Sequence, residues 1–493
     1  MPLNLITEPW IPVRTTSGSQ VIRPDQIAEV GILAPDWPRA DLNIACLEML
    51  VGLVALADPP SDAEDWEERQ VPDPARLRER LASLAPAFEL DGEGPRFLQD
   101  LEPLAGDAIP PDMLFIDSAG ANAARNNADV LVRRDRYPAL DLSLAAMALY
   151  TLQAFAPTGG AGNRTSMRGG GPLVTLVDPS GAIGEDNLWD LVWANVPDGR
   201  PVGPEGLPWM QPTRVSDRPG SETWPEQAPP ALAFWGMPRR LRLVVDEGQV
   251  IGVVQKPWGT NYAGWRHPLT PYYRKKAGAE LLPQHPRAGA FGYRHWLGTL
   301  VARKGELRER AQALDDYEVR KPGDRHATVL VAGWAMDNMK PRDFTLSRQP
   351  FVTLPDAAMQ MLLGMLEAAE LFRQCLRSAL KPVLAEGTAL EATVEDFFLQ
   401  TQGAFDHGLG QLQQGRAPGE VAARWRNDLM RVALKLFDDA ALPGLADREP
   451  EDVAKIVTAR SGLLANFAGR IRPGRDAFTK LGLAPMTKTV ESA

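Results

Sequence analysis

Apolar positions along this chain follow two different rhythms. Up to about residue 350 they come in short bursts, PLVTLV (172–177), RLRLVVD (240–246), VIGVVQ (250–255) and ATVLVAGW (327–334), rich in β-branched side chains and bounded by Gly, Pro or Asp. Such runs predict strands. The Glu247-Gly248 pair between the second and third predicts a hairpin turn. Two apolar stretches in the same region, LNIACLEMLVGLVALA (42–57) and LSLAAMALYTLQAFA (142–156), predict helices. The expectation is an α+β fold whose large mixed N-terminal domain covers residues 1–350.

After Pro350 turn residues thin out and long amphipathic segments follow at 355–384, 394–414, 421–442 and 450–471. Met359, Leu362, Leu363, Leu366 and Leu371 keep i, i+3, i+4 spacing, as do Trp425, Leu429, Val432, Leu434 and Leu436. Thr353 is placed as an N-cap, with Pro355 in the first turn and Asp356 near the positive helix end. Helices of this length with short connections pack as an antiparallel bundle. Residues 351–493 are therefore expected to form a C-terminal four-helix bundle.

Composition adds three bounds. At 493 residues, 44% of them hydrophobic, the chain can fill more than one core. The net charge of −10 is local: residues 1–120 hold 8 Lys+Arg against 22 Asp+Glu, which leaves the remainder at +4. Residues 239–276 carry Arg239, Arg240, Arg242, Lys256, Arg266, Arg274, Lys275 and Lys276 against Asp246 and Glu247, a patch suited to phosphate or simply to solvent. Cys46 and Cys375 form no metal or disulfide pattern, which fits a reducing cytoplasm. The start MPLNLITEPWIPV lacks a signal-peptide pattern, and no uninterrupted apolar run reaches the roughly 18 residues of a membrane span. No membrane association or targeting is expected.

The candidate chemistry centres on APTGGAGNRTSMRGGGPLVTLV (156–177), where six glycines interleave with Arg164 and Arg168. Bare backbone amides and guanidinium groups suit phosphate or a duplex groove, although such loops also serve turns and tight packing. A nucleotide-dependent enzyme with the loop as phosphate cradle is the alternative reading. The P-loop register fails, however, because Thr158 and Asn163 stand where its glycines belong and Arg164 where its lysine belongs. His267, His285, His295, His326 and His407 show no metal spacing, and no G-x-S-x-G elbow occurs. Nothing nominates a reaction.

Five segments taken together, NLITEPWIPV (4–13), FIDSAGANAARNNADVLVRR (115–134), LQAFAPTGGAGNRTSMRGGGPL (152–173), FWGMPRRLRL (234–243) and KPWGTNYAGWRHPLTPYY (256–273), resemble the Cse-type CasA family, the large subunit of the type I-E CRISPR complex Cascade. The resemblance implies a non-enzymatic subunit near the crRNA 5′ end, with the other Cascade subunits as partners. Its implied role is to recognise the protospacer-adjacent motif in double-stranded DNA, promote R-loop formation and help recruit a helicase-nuclease. The family approaches the motif from the minor groove with a glycine loop, a lysine finger and a glutamine wedge. That groove is about 6 Å wide and its code is degenerate, so close backbone approach and tolerance of several motifs go together.

On this chain the resemblance implies a glycine loop at Gly159, Gly160 and Gly162, flanked by Asn163, Arg164, Thr165, Ser166 and Arg168. It implies a finger at Lys275 or Lys276. The wedge falls in MDNMK at Asp337, Asn338 and Met339, where Asn338 stands near the family's glutamine and Met339 offers an apolar alternative. A segment with Asn122, Arg125, Asn126, Asn127, Arg133 and Arg134, and Arg136 beyond it, is implied to anchor the crRNA end or a neighbouring subunit. The cysteine pairs that bind zinc in some relatives are missing, so no metal and no cofactor are expected.

Overall fold

The longest apolar run of the front half folds, in a computed structural model of the chain, as helix α1 (Ala40–Ala57), polar only at Asp41, Asn43 and Glu48. Its length and composition would suit a membrane span, but 89% of it is buried inside protein, so it is a core helix. A second apolar helix, α2 (Leu142–Phe155), starts where the Asp141 carboxylate accepts the Leu144 N–H (2.8 Å). The structure describes every residue except Met1, 119–124, 127–132, 134–135, 161, 181–186, 228–229, 304, 306 and 487–493. The side chains of 227 and 230 are likewise left aside. The chain forms two units, Met1–Ala290 with Arg303–Phe351, and Phe291–Ala302 with Val352–Ala493.

Small antiparallel sheets surround α1 and α2 in the first unit. One joins β1 (Ile11–Thr15), β2 (Gly18–Ile22) and β3 (Ile32–Pro35) in the order β2-β1-β3. Another flanks the long strand β10 (Thr328–Asp337) with β4 (Val174–Asp178) and β11 (Lys340–Pro350). The hairpin of β5 (Arg240–Asp246) and β6 (Gln249–Lys256) turns where expected. Glu247 (φ 47°) and Gly248 (φ 77°) are both left-handed there, as a two-residue turn that follows the sheet twist requires. A shorter hairpin, β7 (Tyr272–Arg274) with β8 (Leu281–Pro283), is flanked by β9 (Arg308–Glu309). The core between these elements is aromatic. Phe88, Phe97, Trp209 and Trp235 meet with ring centroids 5.3–6.2 Å apart, and edge-to-face packing dominates.

In the second unit the four amphipathic segments form α3 (Asp356–Leu380), α4 (Thr388–Gln413), α5 (Pro418–Ala441) and α6 (Pro450–Phe467), followed by the short α7 (Gly474–Lys480). The cap expected at Thr353 is corrected: α3 begins at Asp356 with Pro355 before it and no side-chain cap. The residue before a proline is disfavoured in helical backbone, so the helix starts after Pro355 and Thr353 falls two residues ahead of the cap position. Phe291–Ala302 also packs in this unit. The Tyr293 ring stacks on Phe405 (4.5 Å) and meets Trp425 edge-on (5.5 Å), while its hydroxyl pairs with Thr401 Oγ1 (2.7 Å). Trp296 adds an edge contact to Phe405 (5.1 Å).

Candidate nucleic-acid interface

The glycine-rich loop joins α2 to β4, and its shape follows from how the open carbonyls at the end of α2 are satisfied. Gly171 N–H donates to the Phe155 carbonyl (3.1 Å), Ser166 N–H to that of Ala156 (2.9 Å), Arg168 to that of Ala154 (3.3 Å) and Arg239 to that of Pro157. The two guanidinium groups also complement the negative helix end. Between these anchors the chain bulges outward, and Thr158, Gly159 and Gly160 are exposed. Gly160 is left-handed (φ 66°), and a Cβ placed on it would meet nothing within 4 Å. Gly162 (φ 82°) is different: a Cβ there would strike the Trp258 ring at 2.7 Å.

The polar residues of the loop divide into those that shape it and those that lie under it. Asn163 Oδ1 accepts from Gln255 (3.2 Å). Arg164 donates to Ser216 Oγ (2.8 Å) and Ser216 O (2.7 Å) and lies over the Trp258 ring, 5.2 Å from its centroid. Both are half-buried, as is Thr165. Ser166 and Arg168, implied by the resemblance to flank the glycine loop as DNA contacts, are both buried (4% and 2% exposed) and lie under the loop. Ser166 Oγ donates to the Gly169 carbonyl (2.5 Å). Arg168 makes a bidentate ion pair with Glu48 of α1 (2.5 and 3.0 Å) and donates to Thr270 Oγ1 (3.2 Å). His267 lies 3.5 Å from Glu48, and burial, then the charge of Arg168, holds its pKa well below the usual imidazole range. Arg168 thus rivets the loop to the core.

Two hairpins meet this loop. The β10–β11 hairpin turns at Asn338 (φ 48°) and Met339 (φ 61°), with Asp337 opposite Lys340. It is the same two-residue turn as Glu247-Gly248, with methionine where the other has glycine. Asp337, Asn338 and Met339 are all exposed, and Asp337 pairs with Arg342 (2.8 Å). Met339 Sδ lies against Gly170, where a Cβ would be 3.2 Å from it, so the loop and the wedge candidates come together. The β7–β8 hairpin joins the loop at its base. Leu173 N–H donates to the Gln284 carbonyl (3.0 Å), and His285 Nε2 meets the Arg168 carbonyl (3.1 Å). Lys275 and Lys276 sit exposed at its turn, without an ion pair among the described residues.

The anchoring segment stands differently. Arg125, Asn126 and Arg133 are exposed, and no hydrogen bond or ion pair joins them to the glycine loop among the described residues. Asn122, Asn127 and Arg134 lie outside the described residues. Arg136, implied with this segment as an anchor, is engaged within the fold. It forms a bidentate pair with Asp117 (3.0 Å), which Arg39 also grips (3.1 Å), and both guanidinium groups lie on the Phe115 ring. Burial opposes ionisation of Asp117, but the hydrogen bond from Arg136 and the charge of Arg39 outweigh it and lower its pKa.

Sequence reasoning missed two residues that build this site, Glu48 and Trp258, and offered Arg239 only as one member of a basic patch. Glu48 interrupts an otherwise apolar helix, a signal that a buried cation awaits it. Trp258 is left-handed (φ 66°) and 38% exposed, an outlier for a bulky side chain that no sequence pattern announces. Among the described residues no group of three or more His, Cys, Asp or Glu is placed to hold a metal. Burial pushes the Cys46 and Cys375 thiols up to about 12, so neither is primed as a nucleophile. The loop also runs from helix to strand, the reverse of a phosphate cradle that enters a helix N-terminus.

Residues 4–436 match the family model for CRISPR-associated protein Cse1. The chain belongs to the Cse1 family. Its fold is shared with other Cse1 structures. CasA from Thermus thermophilus is 20% identical with a TM-score of 0.70, covering 94% of this chain and 100% of that one. Cse1 from Acidimicrobium ferrooxidans is 18% identical with a TM-score of 0.65, covering 98% and 99%. A chain of a CRISPR RNA-guided surveillance complex is 16% identical with a TM-score of 0.68, covering 94% and 99%. The mixed front and the helical tail are thus those of a Cse1 protein.

Proposed function

We propose that this chain is the large subunit of a type I-E Cascade complex, acting in the cytoplasm with crRNA and the other Cascade subunits. There it recognises the protospacer-adjacent motif in double-stranded target DNA, opens the duplex beside it for pairing with the guide, and helps recruit the helicase-nuclease. The role is recognition, without a cofactor or a reaction of its own. The observation that carries this reading is the outward Gly159–Gly160 turn with the strained Asn338–Met339 tip packed on the same loop. A bare turn admits a groove edge, and an apolar tip beside it is placed to enter the first base step.

Gly160→Asn tests the reading cleanly, since asparagine tolerates the left-handed backbone and adds only a side chain. Binding of the assembled complex to motif-bearing duplex should fall on the order of tenfold, one close contact of about 1.4 kcal/mol, with single-stranded target unaffected. Equal loss on both substrates removes the loop from duplex reading. Replacing Lys275 and Lys276 together with Ala should flatten the salt dependence of duplex affinity by up to about two units of slope. If one lysine reads a base edge, the single variants will differ, one in motif preference and the other in slope. Unchanged affinity and slope in the double variant would take both lysines out of the interface.

A further inference from the structure

Three arginines are buried among the described residues, and two of them have a carboxylate partner. Arg168 holds Glu48, and Arg320 holds Asp198 (2.5 Å). Arg239, 6% exposed at the foot of β5, has none. Its backbone is fixed by Gln153 of α2, which accepts the Arg239 N–H and donates to the Arg239 carbonyl (both 3.0 Å). Its Nη2 caps the Pro157 carbonyl, and its Nε is buried without a partner. Its Nη1 makes no hydrogen bond among the described residues and is aimed at the exposed turn, where a Cβ on Gly159 would lie 2.6 Å from it.

A buried cation without a counter-charge is expensive, and here burial alone pulls the pKa from 12.5 down to about 10. The group is still charged at neutral pH. A chain that neutralises its other buried guanidinium groups internally has left this one for an anion from outside. We propose that Arg239 and the Gly159–Gly160 turn form a seat for one backbone phosphodiester of the target duplex, the glycines keeping Nη1 uncovered. This rests on the reading above, in which the same turn meets duplex DNA. The seat would fix the register of the loop along the groove without reading sequence, the usual division between phosphate and base contacts.

The test is duplex affinity of the assembled, crRNA-loaded complex between 50 and 200 mM salt. Arg239→Gln removes the charge and, two bonds shorter, also gives up the Nη2 cap on the Pro157 carbonyl while relieving the buried Nε of its missing partner. It should lower the salt slope by about 0.9, so that affinity falls about 3.5-fold less over that range, with motif preference intact and the unfolding midpoint no lower. Gly159→Ala, at a position that is not left-handed, puts a Cβ 2.6 Å from Nη1 and 2.8 Å from Asn163 Cβ, so it displaces the guanidinium and presses on Asn163. It should reproduce the flattened slope, which keeps the proposal testable if the arginine variant folds poorly. Unchanged slopes in both variants overturn the seat. So does a loss seen only in crRNA loading, which would assign the phosphate to the guide. Motif discrimination unaffected by Gly160→Asn, alongside a flattened slope in Arg239→Gln, would instead keep the seat and remove the motif reading.

Discussion

Glu48→Ala is expected to cost the mixed unit about 3–5 kcal/mol of unfolding free energy, the penalty for leaving a buried guanidinium without its counter-charge. The carboxylate is fully buried in α1 and holds Arg168 through two contacts, so neither water nor another acid can replace it. The loop should suffer with the fold, because Arg168 is its link to the core. Urea denaturation of the parent, Glu48→Ala and the pair Glu48→Gln with Arg168→Met decides the matter. Removing both charges should recover most of the loss. A single variant within about 1 kcal/mol of the parent, or a double variant as damaged as the single, would sink the assignment.

The second large effect runs in opposite directions for stability and function. Met339 sits at φ 61°, a backbone that costs a non-glycine residue about 1–2 kcal/mol, and the β5–β6 hairpin shows that this chain uses glycine for the same turn elsewhere. Met339→Gly should therefore stabilise the unit by about 1 kcal/mol in a melt. It should also slow R-loop formation on closed duplex by about tenfold or more, since the exposed methionine no longer offsets the few kcal/mol needed to unstack the first step. A target already unpaired beside the motif should be handled at the parental rate. Slowing of equal size on both targets, or none, would mean that the tip serves the fold and not strand opening.

What was legible in the sequence followed from local periodicity. The runs at 240–246 and 250–255 and the Glu247-Gly248 pair specify their hairpin almost to the residue, because alternation, β-branching and turn chemistry agree. The helices after Pro350 were equally plain. The Asn338-Met339 turn was not, since methionine argues against the conformation it adopts, and the expectation of a wedge there came from resemblance alone. The burial of Arg168 is not legible, because a sequence shows charge but not depth: its partner Glu48 is 120 residues away, on a helix whose pattern is apolar. The basic patch concealed a similar difference, as exposed Lys275 and buried Arg239 look alike on paper.

The aromatic stretch around Tyr293 and Trp296 changes how the protein can be taken apart. The backbone passes between the two units three times, near residues 290, 302 and 351, so a single proteolytic nick at the start of the helical tail leaves both halves tethered. A tail excised from Val352 onward would expose Phe405 and Trp425 to water where Tyr293 and Trp296 normally cover them. The remaining front piece would carry two large aromatics with nowhere to bury. Exchange of tails between relatives would therefore have to carry residues 291–302 along with the helices.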